Sequence, residues 1–339
     1  MKVTLREVAE TAKVHFGTAS CVLNGARGST RVSPATRQRI LDSAQKLGYV
    51  PNRIAQQLRT RRSKVIGLLV GGLENLFFAR MVSVCSEELE RRGYDVILVM
   101  RRADQPEDLH LLEALISRQI DGMLVWSETN TEIRERLRWG DMTTTVLMGY
   151  PLEYRDSFAA DAPEGVRMAL DHLLEVGCRR IGYFAPEVGL HRTGDERYVT
   201  YKQWVADHNL PELVYSFDGP TYNLQLSRVR AELLATEPDR PDGIFCMNDM
   251  VAMGAMSGLM RKGLIVPHDM AVVGFDDLPM SAELEVPLTS VHFPIQEICM
   301  RAIDVLLQRI NESQSTIDHG PLFNERVKMK LQVRDSSMK

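Results

Sequence analysis

Thirteen Lys or Arg stand in the first sixty-four residues against three Asp or Glu, on a chain of 339 residues with a net charge of −4. The remainder holds twenty-eight basic and forty-two acidic side chains, a balance of −14. The chemistry open to such a head is neutralisation of a polyanion, because a surplus of one sign repels itself unless phosphates compensate it. Nucleic acid is the obvious partner, and the acidic body has a different task. Other chemistry finds few carriers. Asp276 and Asp277 are adjacent carboxylates that could act as an acid pair. Five cysteines, at 21, 85, 178, 246 and 299, are scattered singly, with no CxxC pair and no His at metal-ligand spacing. Reduced, mostly buried thiols are expected, with no metal. No phosphate-cradling GxxxxGK(S/T) and no nucleophile elbow occurs, so neither an enzyme nor a cofactor is expected.

The elements that must carry the head are helices. Leu5, Val8, Ala9 and Ala12 recur at helical spacing, and Thr4 with Glu7 predicts a capping box. A second helix is expected over Phe16 to Asn24, with Ala19, Val22 and Leu23 facing the first and Phe16, Gly17, Ser20 and Cys21 pointing away. Two short helices joined by a tight turn make a helix-turn-helix. Gly25 to Arg31 reads as a glycine-rich loop. Ser33-Pro34 then caps a third helix that runs to about Leu47 and stops at Gly48. A small packing module with a solvated charged face is the alternative, and the one-sided charge argues against it.

At this point a specific resemblance enters. Thr4-Leu5-Arg6-Glu7-Val8-Ala9, Thr18-Ala19-Ser20, Val22-Leu23-Asn24, Val32-Ser33-Pro34-Ala35-Thr36-Arg37 and Leu47-Gly48-Tyr49-Val50-Pro51-Asn52 resemble the headpiece of the lactose-repressor (LacI/GalR) family of transcription regulators. Order and most spacings match over about sixty residues. The resemblance implies DNA contacts from Thr4, Phe16, Gly17, Thr18, Ser20, Cys21 and Asn24, and from Ser33, Thr36 and Tyr49. The segment after Pro51 is similar to the family's hinge helix, which implies further contacts from Asn52, Ala55, Gln56 and Leu58. About eight residues are too few for a stable helix in water, so the hinge is expected to order when docked. There Leu58 is the implied wedge between base pairs, unstacking a step and bending the duplex; an inert linker is the alternative. Two departures stand out. Cys21 replaces the family's base-reading arginine, and with Phe16 and Gly17 it leaves direct readout poor in hydrogen bonds. Readout then leans on thymine methyls, the hinge and DNA deformability. The loop Gly25 to Arg31 is also about three residues longer than usual, offering Arg27 and Arg31 to phosphates.

From Val65 the pattern becomes short apolar runs alternating with amphipathic stretches. Strands are expected at 65–70, 95–100, 122–126, 145–148, 180–184, 243–247 and 270–274. Helices are expected at 78–93, 106–119, 130–139, 163–176, 195–208, 223–235, 249–262 and from Pro294 to about Asn311. Such repeats predict two doubly wound parallel-sheet lobes in an α/β body. The chain order resembles the type I periplasmic-binding-protein fold, with ligand in the cleft at the strands' carboxyl ends. The expected division is 1–50 for the DNA-binding domain, 51–63 for the hinge and linker, and 64–339 for effector binding and dimerisation. Within the last, the first lobe takes about 64–160 and 292–312, the second about 161–291 and 313–339.

The resemblance also implies cleft residues. Phe78, in Glu74-Asn75-Leu76-Phe77-Phe78, matches a pocket-lining aromatic, and Arg197 matches an arginine that binds ligand oxygens, although Thr200 replaces the glycine usual three residues later. Asn248 in Cys246-Met247-Asn248-Asp249-Met250 and Asp276 in Val273-Gly274-Phe275-Asp276-Asp277 match effector contacts. A carboxylate that accepts two hydroxyls, a guanidinium fork, an amide and a ring face suit a hydroxyl-rich effector of the sugar or nucleoside class. Helix caps for Asn248 and Asp276, and core packing for Phe78, are the alternatives. The stripe Met250, Met253, Met256 and Met260 is read as core.

The expected function is a DNA-binding transcription regulator, a repressor, whose grip on a double-stranded operator a small molecule controls. A solute-binding transport component and a doubly wound enzyme are the alternatives. One helix-turn-helix reads one half-site, and no heptad-patterned tail follows Val333-Arg334-Asp335-Ser336-Ser337, so a homodimer is expected. No run approaches a membrane span, and Met1 to Leu5 is charged where a secretion signal is apolar. A cytoplasmic protein with no membrane partner is expected.

Overall fold

The computed structural model describes residues 3–24, 32–49, 62–100, 109–126, 144–149, 155–190, 195–220, 222–312 and 321–339. The chain divides into two compact units, Met1–Lys64 and Val65–Lys339. The expected loop 25–31, the hinge contacts Asn52, Ala55, Gln56 and Leu58, and the expected helix 130–139 lie outside the described residues.

The first unit holds α1 (Leu5–Thr11), α2 (Phe16–Asn24) and α3 (Pro34–Leu47). Thr4 and Glu7 form the reciprocal capping box, with the Thr4 amide donating to Glu7 Oε2 at 2.6 Å. At the start of α2, His15 Nδ1 accepts the Gly17 amide at 3.1 Å. Ser33 Oγ accepts the Thr36 amide to cap α3, and Gly48 ends that helix in the left-handed region at φ 65°. Val8, Ala9, Ala12, Ala19, Val22, Ile40 and Ala44 are the buried apolar side chains of this three-helix unit among the described residues. Arg39 Nε also donates to the Ala12 carbonyl at the end of α1.

The body is built on β1 (Val65–Val70), β2 (Asp95–Met100), β3 (Gly122–Trp126), β4 (Thr144–Gly149), β5 (Ser157–Ala160), β6 (Ile181–Pro186), β7 (Leu213–Phe217), β8 (Gly243–Cys246), β9 (Ala271–Asp276), β10 (Thr289–His292), β11 (Asn324–Val327) and β12 (Lys330–Gln332). One sheet has the order β11-β5-β4-β3-β1-β2, the other β12-β10-β9-β8-β6-β7. All described pairings are parallel except that of β10 with β12. The central strands are buried along their whole length, as β3 and β9 are, because helices cover both sheet faces. The helices that matter for the cleft are α4 (Leu76–Arg91) and α11 (Ile295–Glu312) in the first lobe. In the second they are α6 (Ala162–Glu175), α7 (Glu187–Leu190), α8 (Glu196–Asp207), α9 (Leu224–Leu234) and α10 (Asp249–Arg261); α5 (Leu109–Ile116) precedes β3.

The chain crosses between lobes three times, from β5 to α6, from β10 to α11 and from β11 to β12. The last crossing corrects the expected lobe boundary. Residues 313–339 do not all belong to the second lobe, since β11 pairs in parallel with β5 at the edge of the first sheet. Asn324-Glu325-Arg326-Val327 buries only Val327, so this edge strand carries almost no apolar signal. A second correction concerns the methionine stripe. Met250, Met253 and Met256 are buried, but Met260 is 38% exposed beside an open groove that Met253, Met256, Leu284 and Val286 also line. Among the described residues no helix is long and apolar enough to cross a membrane.

Candidate functional site

In the head, the face of α2 opposite its buried Ala19 and Val22 is open. Phe16 is 51% exposed, Gly17 is exposed, and Thr18, Ser20 and Cys21 are half-buried. Thr4 and Ser33 are exposed but already act as helix caps, and Ser33 Oγ also bonds the Thr36 hydroxyl at 2.9 Å. Tyr49 is half-buried just past the end of α3. The head therefore presents a short helix whose outward side chains carry one aromatic ring, two hydroxyls and a thiol, but no guanidinium.

The cleft forms where strand ends of the two lobes converge. Chain reversal after β1 brings Phe77 and Phe78 into α4, whose N-cap Asn75 accepts the Phe77 amide at 3.1 Å. Gly71 makes that fold-back possible, since a Cβ there would lie 2.2 Å from the Phe78 ring. Trp126 closes β3, Gly149 closes β4, and Phe293 follows β10. Phe77 packs edge-on to Phe78, Trp126 and Phe293 with centroids 5.4, 5.2 and 4.9 Å apart. This is an aromatic wall from the first lobe and the crossing.

The second lobe supplies the polar floor. Asn248, at the end of β8, uses Oδ1 to accept the Val251 amide at 2.9 Å and cap α10. Arg197, at the start of α8, grips Asp195 with Nε and Nη2 at 2.9 and 2.6 Å and donates Nη1 to the Met247 carbonyl at 2.9 Å. Its guanidinium also lies 5.2 Å over the Phe275 ring. The fork that the sequence reading offers to ligand oxygens is thus engaged by Asp195. Asp276 ends β9 with φ 111° and is 5% exposed. A positive φ on a non-glycine residue is costly, and such strain concentrates at binding sites. Burial, then the neighbouring Asp249, pushes the Asp276 carboxyl well above the usual carboxylate range, while Arg197 pulls the other way. Asp249 is itself raised to about 6 by burial, although Ser281 and Ser290 hydroxyls and the Leu278 amide donate to it.

All four expected cleft residues, Phe78, Arg197, Asn248 and Asp276, line one cavity of about 50 Å³ together with Phe77, Trp126, Glu196, Met247, Phe275 and Phe293. That volume holds roughly one or two waters. An ordinary metabolite pocket holds roughly 300 Å³ or more, so this cavity is tighter than such a pocket. Among the described residues, polar contacts also bridge the lobes beside the cavity. Arg326 on β11 meets Glu196 on α8 through two bonds of 2.8 Å, and Arg80 on α4 donates to the Asp277 carbonyl at 3.2 Å. Asp277 does not join Asp276 as an acid pair, because His292 and Arg334 hold its carboxylate at 2.8 and 2.7 Å. The sequence reading missed Trp126, Phe77, Phe293 and Glu196. Trp126 was findable, as the last residue of an expected strand in a fold that binds ligands at strand ends. Phe293 depends on the crossing after β10, and Glu196 enters with the first turn of α8, beside Arg197.

The comparisons agree with this geometry. Residues 4–52 match the model for bacterial regulatory proteins of the lacI family, and residues 170–337 match a periplasmic binding protein-like domain. The HTH-type transcriptional repressor PurR of Aliivibrio salmonicida (strain LFI1238) is 30% identical over 315 residues, covering 91% of this chain and 92% of its own. The lac repressor dimer bound to operator and the anti-inducer ONPF has the same fold, with TM-score 0.82 and 22% identity over the whole of both chains. The transcriptional regulator CelR in complex with cellobiose superposes with TM-score 0.68 at 28% identity, covering 99% of this chain and 100% of its own. These relatives are transcription regulators rather than enzymes. With a helix-turn-helix head and a two-lobed binding body matched along almost its whole length, the chain belongs to the lacI family of bacterial regulatory proteins, DNA-binding regulators of transcription with an effector-binding domain.

Proposed function

We propose that the chain is a cytoplasmic repressor which, as a homodimer, holds a palindromic operator and changes its grip when a hydroxyl-rich metabolite of the sugar or nucleoside class closes the cleft. The observation that carries this reading is the convergence of Phe78, Arg197, Asn248 and Asp276 on one enclosed cavity between the lobes. Asn248 and Asp276 offer acceptors to ligand hydroxyls, Phe78 bounds the ring, and Arg197 holds the floor through Asp195. Cellobiose in the CelR complex supports a sugar. On the DNA side, α2 supplies Phe16, Gly17, Thr18, Ser20, Cys21 and Asn24, the caps Thr4 and Ser33 act with Thr36 and Tyr49, and Asn52, Ala55, Gln56 and Leu58 act from the hinge. With Cys21 in place of a guanine reader, the outer base pairs of each half-site are tolerated loosely. A second copy would cover the stripe Leu226, Val229 and Leu233 on α9 beside Met260 on α10, all of them exposed.

The test is a thermal-shift screen of sugars, nucleosides and nucleobases, followed by operator binding with each hit. A hit raises the melting point of the wild type and not of Asp276→Ala, since a ligand that binds only the native state must stabilise it. Hits that stabilise both proteins equally, or none at all, would refute the cleft assignment.

A further inference from the structure

Among the described residues the buried indole Nε1 of Trp126 has no hydrogen-bond partner, and the side chain that carries it lines the cleft cavity while only 8% exposed. Native proteins rarely leave a buried donor unpaired, and an indole N–H can only donate. The ring is not placed to turn toward another partner. Gly149 lies against it, so closely that a Cβ there would sit 2.9 Å from Cε2 and Cζ2, and with φ 102° this position suits glycine. Phe77 and Phe78 meet the indole edge-on with centroids 5.2 and 5.7 Å away, and Phe293 tilts against it at 5.9 Å. Three aromatic rings and a glycine thus fix a donor in the aromatic wall of the pocket.

From this we infer that Trp126 is a specificity-determining residue of the effector site, its indole N–H donating to an acceptor oxygen or ring nitrogen of the ligand. The inference rests on the reading of the cleft as the effector site. Trp126 ends a strand of the first lobe and Asp276 ends a strand of the second. A ligand that accepts from the indole and pairs with the Asp276 carboxyl therefore touches both lobes at once, and it favours the closed form over the open one. Specificity follows because a donor-only wall rejects a ligand that turns a hydrogen toward it, or that lacks an acceptor there.

The experiment uses the full chain, with glucose, cellobiose, adenosine and hypoxanthine as probes. Affinity is measured by calorimetry for wild type and Trp126→Phe, and the indole N–H resonances of the three tryptophans are followed by ¹⁵N NMR, with the Trp126 signal assigned by its loss in the variant. The expected result is a probe that moves the Trp126 indole proton downfield and binds Trp126→Phe about ten- to a hundredfold more weakly. Should Trp126→Phe fail to fold, benzothienylalanine at position 126, which replaces the N–H by sulfur, supplies the same comparison. A probe that binds both proteins within twofold and leaves the Trp126 signal in place overturns the inference alone. Failure of all four to bind the wild type overturns the proposed effector class, and this inference with it.

Discussion

The reading face of the head and the cleft of the body are built by opposite means. The α2 face takes its outward side chains from nine consecutive residues, on a helix held by caps and a small apolar seam. The cleft gathers residues from Asn75 to Phe293, nearly all buried, and several also hold the protein together. A change on the first surface should therefore alter recognition with little effect on stability. In the second, the side chains that line the cavity also hold the fold, so a change there should alter stability as well.

Predictions that sharpen this contrast begin with the buried pair behind the cleft. Arg309 on α11 meets both Asp156 oxygens at 2.9 and 3.0 Å, and Asp156 also accepts the Phe323 amide, tying β5 to the segment before β11. Arg309→Ala leaves that carboxylate buried and uncompensated, and should cost about 3–5 kcal/mol in denaturant unfolding of the body. A loss under about 1 kcal/mol would mean that water reaches the site.

Next comes the acidity of Asp249. Burial pushes its carboxyl up to about 6, above the ordinary aspartate value of about 3.8, so the folded state holds the proton more tightly between those limits. The protonated form's contribution is fully present below about 4 and is lost as pH rises through about 6, an amount on the order of 3 kcal/mol. Asp249→Asn should flatten that part of the stability profile between pH 4 and 7. An unchanged slope in the variant would assign it to other groups.

On the head, Cys21→Arg should add a guanine preference of about 1–3 kcal/mol at one operator position. The melting temperature should stay put, because Cys21 is half-buried on the outward face of α2. A selection experiment that finds the guanine requirement already present in the wild type would break the account of weak direct readout. The smallest effect is expected at the bridge between lobes. Arg326 and Glu196 are 38% and 31% exposed at their side chains, so Arg326→Ala should change stability by less than about 1 kcal/mol. Effector affinity should still fall a few-fold, because the pair forms across the closed cleft. An affinity unchanged within error would show that the bridge forms equally in the open state.

The same contrast governs what could be read from sequence. The three head helices were legible because their signals are local: a Thr4–Glu7 box, Ser33-Pro34 and a left-handed Gly48. The strands β1, β2, β3, β4, β6, β8 and β9 were legible as apolar runs. β5, β7, β10, β11 and β12 were not, and β11 shows one reason: an edge strand with one buried side chain resembles a loop. The four cleft residues came from motif likeness alone, and what surrounds them did not. That the Arg197 fork is engaged by Asp195 depends on the turn before α8, and the aromatic wall depends on the crossing after β10.

The central claim is that a metabolite in the two-lobed body sets the grip of the head on DNA. Fluorescence anisotropy of a labelled operator, obtained by selection with the full chain, tests it most directly when titrated with and without a ligand that raises the melting point. The account predicts that the binding midpoint moves with the ligand in the wild type and stays fixed in Asp276→Ala. Identical operator curves with and without every stabilising ligand would contradict it.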